Sequence, residues 1–398
     1  MRWTSSLSLH NSLSRALREA ADRAMEGAPS APPDVAFLFL GGYSGAEVDA
    51  ASTAIRDRTR ARHLVGCTAG GVVGDGREVE HRPSVSLTLA WLPGVEVRPF
   101  HVVPEQYPDG DAPPAEWHSR IGVSPDAKPI LVLLPDPFTS EAPRLLAGLD
   151  YAYATCVKIG GLASGGDGPG TNRLFLDAAT HRGGTVGVAL SGAVVVDTVV
   201  AQGCRPVGKT GRITKAQHCY LIEIDGRRAL DFVQEQVDGF DEADRQLART
   251  SLCIGIAMDP FREEPPEAGD FLIRNFLGVD PEKGVVAIAE ELAAGRLVQL
   301  HVRDARASSD DVLTLLRRSI GRRSGASPAG ALLFSCLGRG KHLYGEPDHD
   351  SKLFRSVVGD VPLGGFFCSG EIGPVGDSTF LHGYTSSFGL FRSPARAG

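Results

Sequence analysis

Short uninterrupted apolar runs recur along this chain, each followed by a helical stripe and then by a glycine-rich segment. Val35-Ala-Phe-Leu-Phe-Leu40 does not alternate apolar with polar, which predicts a strand buried on both faces. Before it, Leu13, Ala16, Leu17, Ala20, Ala21, Ala24 and Met25 recur at helical spacing, and Gly27 is a natural stop. After it, Ser44-Gly-Ala-Glu47 reads as a capping box opening a helix with Val48, Ala51 and Ile55 on its apolar face. A short strand at 63–65, a glycine loop from Gly66 to Gly74 and a strand at 85–91 complete the unit.

The C-terminal end repeats this order. It has an apolar run at 331–336, a helical stripe with Leu353 and Val357 closed by Gly359, a second glycine loop and a strand at 384–391. The two loops share the spacing G-x4-G-x2-G, with Gly66, Gly71 and Gly74 against Gly365, Gly370 and Gly373. The middle of the chain has a similar order: a strand at 130–134, a helix with Leu145, Leu146 and Leu149, glycines from Gly160 to Gly166, and a strand at 185–190. Further helices are predicted over 229–237 and 308–320, and Pro260–Gly269 reads as an acidic proline loop. The alternation predicts an α/β (or α+β) fold. It is read as two related domains of mixed β-sheets with flanking helices, with possible internal duplication. The predicted divisions are an N-terminal helix and linker at 1–33, a first domain at 34–205 and a second at 206–392.

Composition narrows the function. Acidic residues outnumber basic ones, giving a net charge of −7. That balance argues against nucleic acid as the partner. Gly183–Val196 is the longest uncharged stretch of note, too short and too glycine-broken to span a membrane. The N-terminus lacks the long apolar core of a secretion signal. The seven cysteines are scattered and never in C-x-x-C spacing, which predicts reduced thiols in a cytoplasmic protein.

Several motifs carry candidate chemistry. Gly203-Cys-Arg-Pro-Val-Gly-Lys-Thr210 matches G-x4-G-K-[ST], but β-formers rather than a helix follow it, so it reads as a turn. No G-x-S-x-G elbow, H-E-x-x-H pair or paired C-x-x-C occurs, so no metal or cofactor is expected. His342, Glu346 and His349 around Tyr344-Gly345 read as a polar loop, and Arg317, Arg318, Arg322 and Arg323 as a solvated helix end. Cys67 and Cys336 are candidate nucleophiles if a positive field lowers their pKa; the competing reading is two small core residues. Glu371, held between glycines after Phe366-Phe367, would bind an ammonium or amide, and Arg339 would clamp a carboxylate. The competing reading pairs these two with each other or with backbone amides to pin their loops.

The order of these motifs resembles the FIST proteins, which join a FIST N and a FIST C domain. The likeness rests on Val65-Gly-Cys-Thr-Ala-Gly-Gly-Val72 with Gly76-Arg-Glu-Val79, Gly160-Gly-Leu-Ala-Ser164, and Gly187–Gly192 running to Arg205-Pro-Val-Gly208. In the second half it rests on Phe271–Asn275, Ser335–Gly340, Pro362–Phe366, Gly370–Pro374 and Leu381–Thr385. The resemblance implies a sensory module of signal transduction with small ligands, amino acids among them, and a stand-alone bacterial-type member acting through a separate output protein. On that reading the ligand residues are Gly66, Cys67, Thr68, Gly70, Gly71, Cys336, Arg339, Glu371, His382 and Thr385, with main-chain amides exposed by the missing side chains. The alternatives are a thiol-dependent enzyme using Cys67 or Cys336, and a non-catalytic interaction scaffold.

Overall fold

A computed structural model describes residues 1–259, 266, 269–322 and 326–395. Most of the acidic proline loop and Arg323 lie outside the described residues. The chain forms two units: one from residues 1–200, 312–381 and 385–398, the other from 201–311 and 382–384.

The first unit is one supersecondary motif used three times. The first copy runs β1 (Arg2–Ser8), α1 (Leu13–Met25), β2 (Val35–Gly41), α2 (Ala51–Thr59), β3 (His63–Ala69), the hairpin β4 (Gly71–Gly74) and β5 (Arg77–Glu80), then β6 (Ser84–Trp91). The second runs β7 (Val95–Val102), α3 (Pro114–Ile121), β8 (Ile130–Pro135), α4 (Ala142–Ala152), β9 (Lys158–Gly161), the hairpin β10 (Leu174–Leu176) and β11 (Ala179–His181), then β12 (Thr185–Gly192). The third opens with β13 (Val195–Gln202), and the second unit begins at its last two residues and ends within α7. That insert holds β14 (Cys204–Gln217), β15 (Tyr220–Ile224), β16 (Arg227–Arg228), α5 (Ala229–Asp238), α6 (Glu242–Ser251), β17 (Leu252–Ala257), β18 (Phe271–Asp280), β19 (Val285–Ile288) and β20 (Leu297–Arg303). The third copy then resumes with α7 (Ala305–Gly321), β21 (Gly330–Cys336), α8 (Gly340–Tyr344), α9 (His349–Val358), β22 (Leu363–Cys368), the hairpin β23 (Glu371–Val375) and β24 (Ser378–His382), and β25 (Thr385–Arg392). The recurrence read at the two ends and in the middle of the sequence is therefore threefold.

Each copy contributes the same four strands to a sheet, in the orders β1-β6-β2-β3, β7-β12-β8-β9 and β13-β25-β21-β22. The central pairs β2–β3, β8–β9 and β21–β22 are parallel. Each sheet is then extended by a hairpin from another copy: β10-β11 on β3, β23-β24 on β9, and β4-β5 on β22. The exchange runs round in a ring, so every copy gives one hairpin and receives one.

Both faces of the central strands are buried, as their unbroken apolar runs predict. On β2, Val35, Phe37 and Phe39 join a core shared by the three copies, with Val132 and Leu134 of β8 and Leu332 and Phe334 of β21. The opposite face, Ala36, Leu38 and Leu40, packs under α1 and α2. The capping box predicted at Ser44–Glu47 does not form. A 3-10 turn at Ala46–Ala50 precedes α2, and its cap, Gly45, sits at φ +95° with no side-chain bond.

The segments expected to be glycine loops are largely strand, and one glycine in each admits a neighbouring backbone. A Cβ on Gly66 would lie 1.9 Å from the carbonyl oxygen of Leu38, its register partner. A Cβ would lie at the same 1.9 Å from the Leu133 oxygen on Gly160 and from the Leu333 oxygen on Gly365. On its other side each glycine pairs with an incoming hairpin: Gly66 with Phe175, Gly160 with Ile372, Gly365 with Val73.

The second unit is a closed barrel, β14-β20-β17-β18-β19-β15, in which β14 also pairs with β15. Ile213, Leu221, Ile254, Val286 and Val298 share its apolar core with Phe232 of α5. The G-x4-G-K-[ST] match lies in β14 from Cys204 onward, and no helix follows it, so the phosphate-loop context is missing. Among the described residues no helix is long and apolar enough to cross a membrane.

Gly66→Ala and Gly365→Ala are expected to destabilise the protein by about 3 kcal/mol or more, since a carbonyl fixed in a strand cannot yield. Gly168→Ala, where an added Cβ meets nothing within 4 Å, is expected to stay within about 0.5 kcal/mol. Urea denaturation of the three variants measures the contrast.

Candidate functional site

Polar chemistry in the first unit concentrates at the C-terminal end of β21, where the strand releases Ser335, Cys336 and the turn to Arg339. Ends of parallel strands are the usual place for sites in such sheets. Arg339 is fully buried. Its Nε and Nη2 donate to the two carboxylate oxygens of Asp350 at 3.0 and 3.1 Å, and Nη2 donates to the Tyr344 hydroxyl at 2.6 Å. Asp350 also accepts from Ser386 and Ser335, and the Nδ1 of His349 lies 3.2 Å away. The Tyr344 ring stacks on His349 at 3.4 Å between centroids. Burial alone would push the Asp350 carboxyl up, but the Arg339 guanidinium, with His349 and Ser386, holds it well below the usual carboxylate range. Asp350 therefore stays ionised, and Arg339 stays paired.

Two further carboxyls are buried beside this pair. Glu78, on β5 of the incoming hairpin, accepts from the Ser351 amide at 2.6 Å in the first turn of α9. Burial, reinforced by the Asp350 charge, pushes its pKa up to about 8. Glu371 accepts from the Thr385 amide at 3.0 Å and from the Cys368 thiol at 3.3 Å. Burial lifts it to about 8 as well, against the opposing pull of those donors and of Arg339.

In front of this network lies an open groove of about 580 Å³, lined by Arg77, Glu78, Glu80, His81, Arg82 and Lys341, among others. The Lys341 amide donates to Glu80 at 2.9 Å, joining the two walls. Among the described residues, the cationic heads of Arg77, Arg82 and Lys341 form no ion pair.

The structure distributes the candidate ligand residues unevenly. Cys336, Arg339, Glu371 and Thr385 meet in the buried network, as partners of one another and of the backbone. Gly66 and Gly71 are filled by neighbours, Gly71 by the Val79 oxygen and the Phe367 ring. A Cβ on Gly70 would meet the Leu337 side chain, and the Gly70 amide donates to Ser164. Thr68 accepts from the Arg173 amide and donates to Asn172. Cys67 lies in the shared core, and burial pushes its thiol well above the ordinary range. His382 is buried and its contacts group it with the second unit. Asp350 and Glu80 carry no local sequence signal, and Glu78, although inside the Gly76–Val79 motif, carries none for its role as a buried carboxyl. The polar loop read at 342–349 supplies Tyr344 and His349 to the network.

The FIST N domain model matches residues 14–227 and the FIST C domain model residues 229–374. An uncharacterized protein of Mycobacterium tuberculosis is 37% identical over 95% of this chain and 96% of its own length. A second, from Mycobacterium bovis, is 36% identical over 94% of each. An F-box/LRR-repeat protein of Arabidopsis thaliana is 26% identical over 42% of this chain and 34% of its own length. The chain belongs to the FIST family, whose domains are regarded as sensory domains in signalling.

Arg339→Leu is expected to cost about 3–5 kcal/mol by stranding the Asp350 charge, read from a denaturation curve. Glu78 binds its proton more tightly folded than unfolded. Its contribution is full below its ordinary 4.5 and is lost as pH rises through about 8. Asp350 is ionised throughout that window and adds no slope. Glu78→Gln is therefore expected to remove on the order of 1–3 kcal/mol of the stability lost between pH 5 and 9, measured as the urea midpoint against pH.

Proposed function

We propose that this FIST protein is a small-ligand sensor and that its ligand, an amino acid or related carboxylate metabolite, binds in the groove between β5 and the Lys341 turn. The observation carrying this reading is the groove's composition: three basic residues that form no ion pair among the described residues, Arg77, Arg82 and Lys341, line it together with the partly exposed carboxylate of Glu80. A guanidinium takes a carboxylate by two parallel hydrogen bonds, and Glu80 takes an ammonium. A zwitterion satisfies both.

Signal transmission follows from the groove's position. Its floor includes Glu78, which ties the hairpin of the first copy to α9 of the third through Ser351 and Asp348. A ligand on β5 bears on that junction and biases its arrangement, by no more than its differential affinity for the two states. Output then passes to a separate signalling protein. The seven scattered cysteines, none in C-x-x-C spacing, support a reducing, cytoplasmic setting.

Thermal-shift screening of the full chain against amino acids and carboxylates at millimolar concentration is expected to find a stabilising compound. Saturation at 100 times Kd adds about 2.7 kcal/mol. Arg82→Ala and Lys341→Ala are each expected to weaken it about tenfold, the loss of one charge-assisted hydrogen bond. No stabilising compound in the panel, or one that binds both variants unchanged, refutes the groove as the ligand site.

A further inference from the structure

We propose that Cys336 and Cys368 form a thiol–disulfide exchange site that takes small-molecule disulfides as substrate, with Glu371 as proton acceptor for the buried thiol. This inference is independent of the ligand groove.

The two cysteines end adjacent parallel strands and are register partners in the β21–β22 ladder. Neighbouring strands lie about 4.8 Å apart and paired side chains share a face, inside the roughly 4.4–6.8 Å between Cα atoms that a disulfide spans. The Cys368 sulfur leans over β21, 3.3 Å from the Ser335 carbonyl oxygen beside Cys336. The Glu371 carboxyl reaches both thiols, accepting from Cys368 at 3.3 Å and also from Cys336. Access is asymmetric. Cys336 is half-buried, whereas Cys368 and Glu371 are fully buried. That is the division between an attacking and a resolving thiol. The charge of Arg339 acts on both Cys336 and Glu371, and burial lifts the Cys368 thiol well above its ordinary range, so it needs a base.

The reaction balances as follows. The Cys336 thiolate attacks one sulfur of RSSR, forming a mixed disulfide and releasing RS⁻, which takes a proton from solvent. Glu371, ionised above about pH 8, accepts the Cys368 proton on its carboxylate. The Cys368 sulfur attacks the Cys336 sulfur, and the second RS⁻ leaves and is protonated by Glu371. Two protein thiols and RSSR give one protein disulfide and two RSH, with two electrons passing to the small disulfide.

Another thiol pair makes the internal contrast. The Cys204 and Cys253 sulfurs are 3.8 Å apart, yet their strands flank β20. Two strand spacings, about 9.5 Å, exceed the span of a disulfide.

The test treats the full-length protein with oxidised glutathione, quenches in acid and maps unreduced peptides by mass spectrometry. A cross-link between the peptides carrying Cys336 and Cys368 is expected, with Cys204 and Cys253 still reduced. Cys368→Ser is expected to accumulate glutathione on Cys336. Glu371→Gln is expected to accumulate the same adduct transiently, as resolution slows by about 10²-fold. An adduct that persists on wild-type Cys336, an unmodified Cys336, or a disulfide joining other cysteines overturns the proposal. If a variant fails to fold, the wild-type map alone decides among these outcomes.

Discussion

Three leucine carbonyls govern this molecule. The oxygens of Leu38, Leu133 and Leu333 stand where side-chain carbons would be on Gly66, Gly160 and Gly365. Any larger residue would push the parallel pair apart. The same glycines receive the incoming hairpins on their other edge. A bare backbone at one position per copy therefore allows both the parallel pairing and the exchange between copies. The absence of bulk serves contact between strands, and the groove that could receive a metabolite lies elsewhere.

This constraint explains what was legible in the sequence. Gly66/Gly71, Gly160/Gly165 and Gly365/Gly370 show the G-x4-G spacing three times, and the unbroken runs at Val35, Ile130 and Ala331 mark the doubly buried strands beside them. Element type and recurrence are local properties, and the pattern carried them. The meaning of the glycines was not local. Whether a glycine turns a loop or admits a neighbouring carbonyl depends on Leu38, Leu133 and Leu333, each about thirty residues away. The site divided along the same line. Arg339 and Glu371 stood out by their glycine neighbours, whereas Asp350 and Glu78 acquire their importance through partners brought by tertiary structure. Glu78 reaches Ser351 across 273 positions of sequence.

The buried network is costly to maintain. An ionised pair and two carboxyls sit out of water, and replacing such a pair by apolar side chains is often neutral or stabilising. Here each ion is almost fully hydrogen-bonded, with Arg339 held by Asp350 and Tyr344, and Asp350 by Arg339, two serines and His349. That satisfaction fixes the turn after β21 in one arrangement. It also fixes the position of Cys336 and of the Lys341 wall of the groove.

The ring of exchanged hairpins has a mechanical consequence. In a linear solenoid each repeat leans only on its neighbours, and the ends can fray independently. Here the chain has no terminal repeat. Peeling away any one copy exposes a raw strand edge on one sibling and strips a hairpin's anchor from the other. Unravelling one copy thus disturbs both of the others, while the inserted barrel has an apolar core of its own.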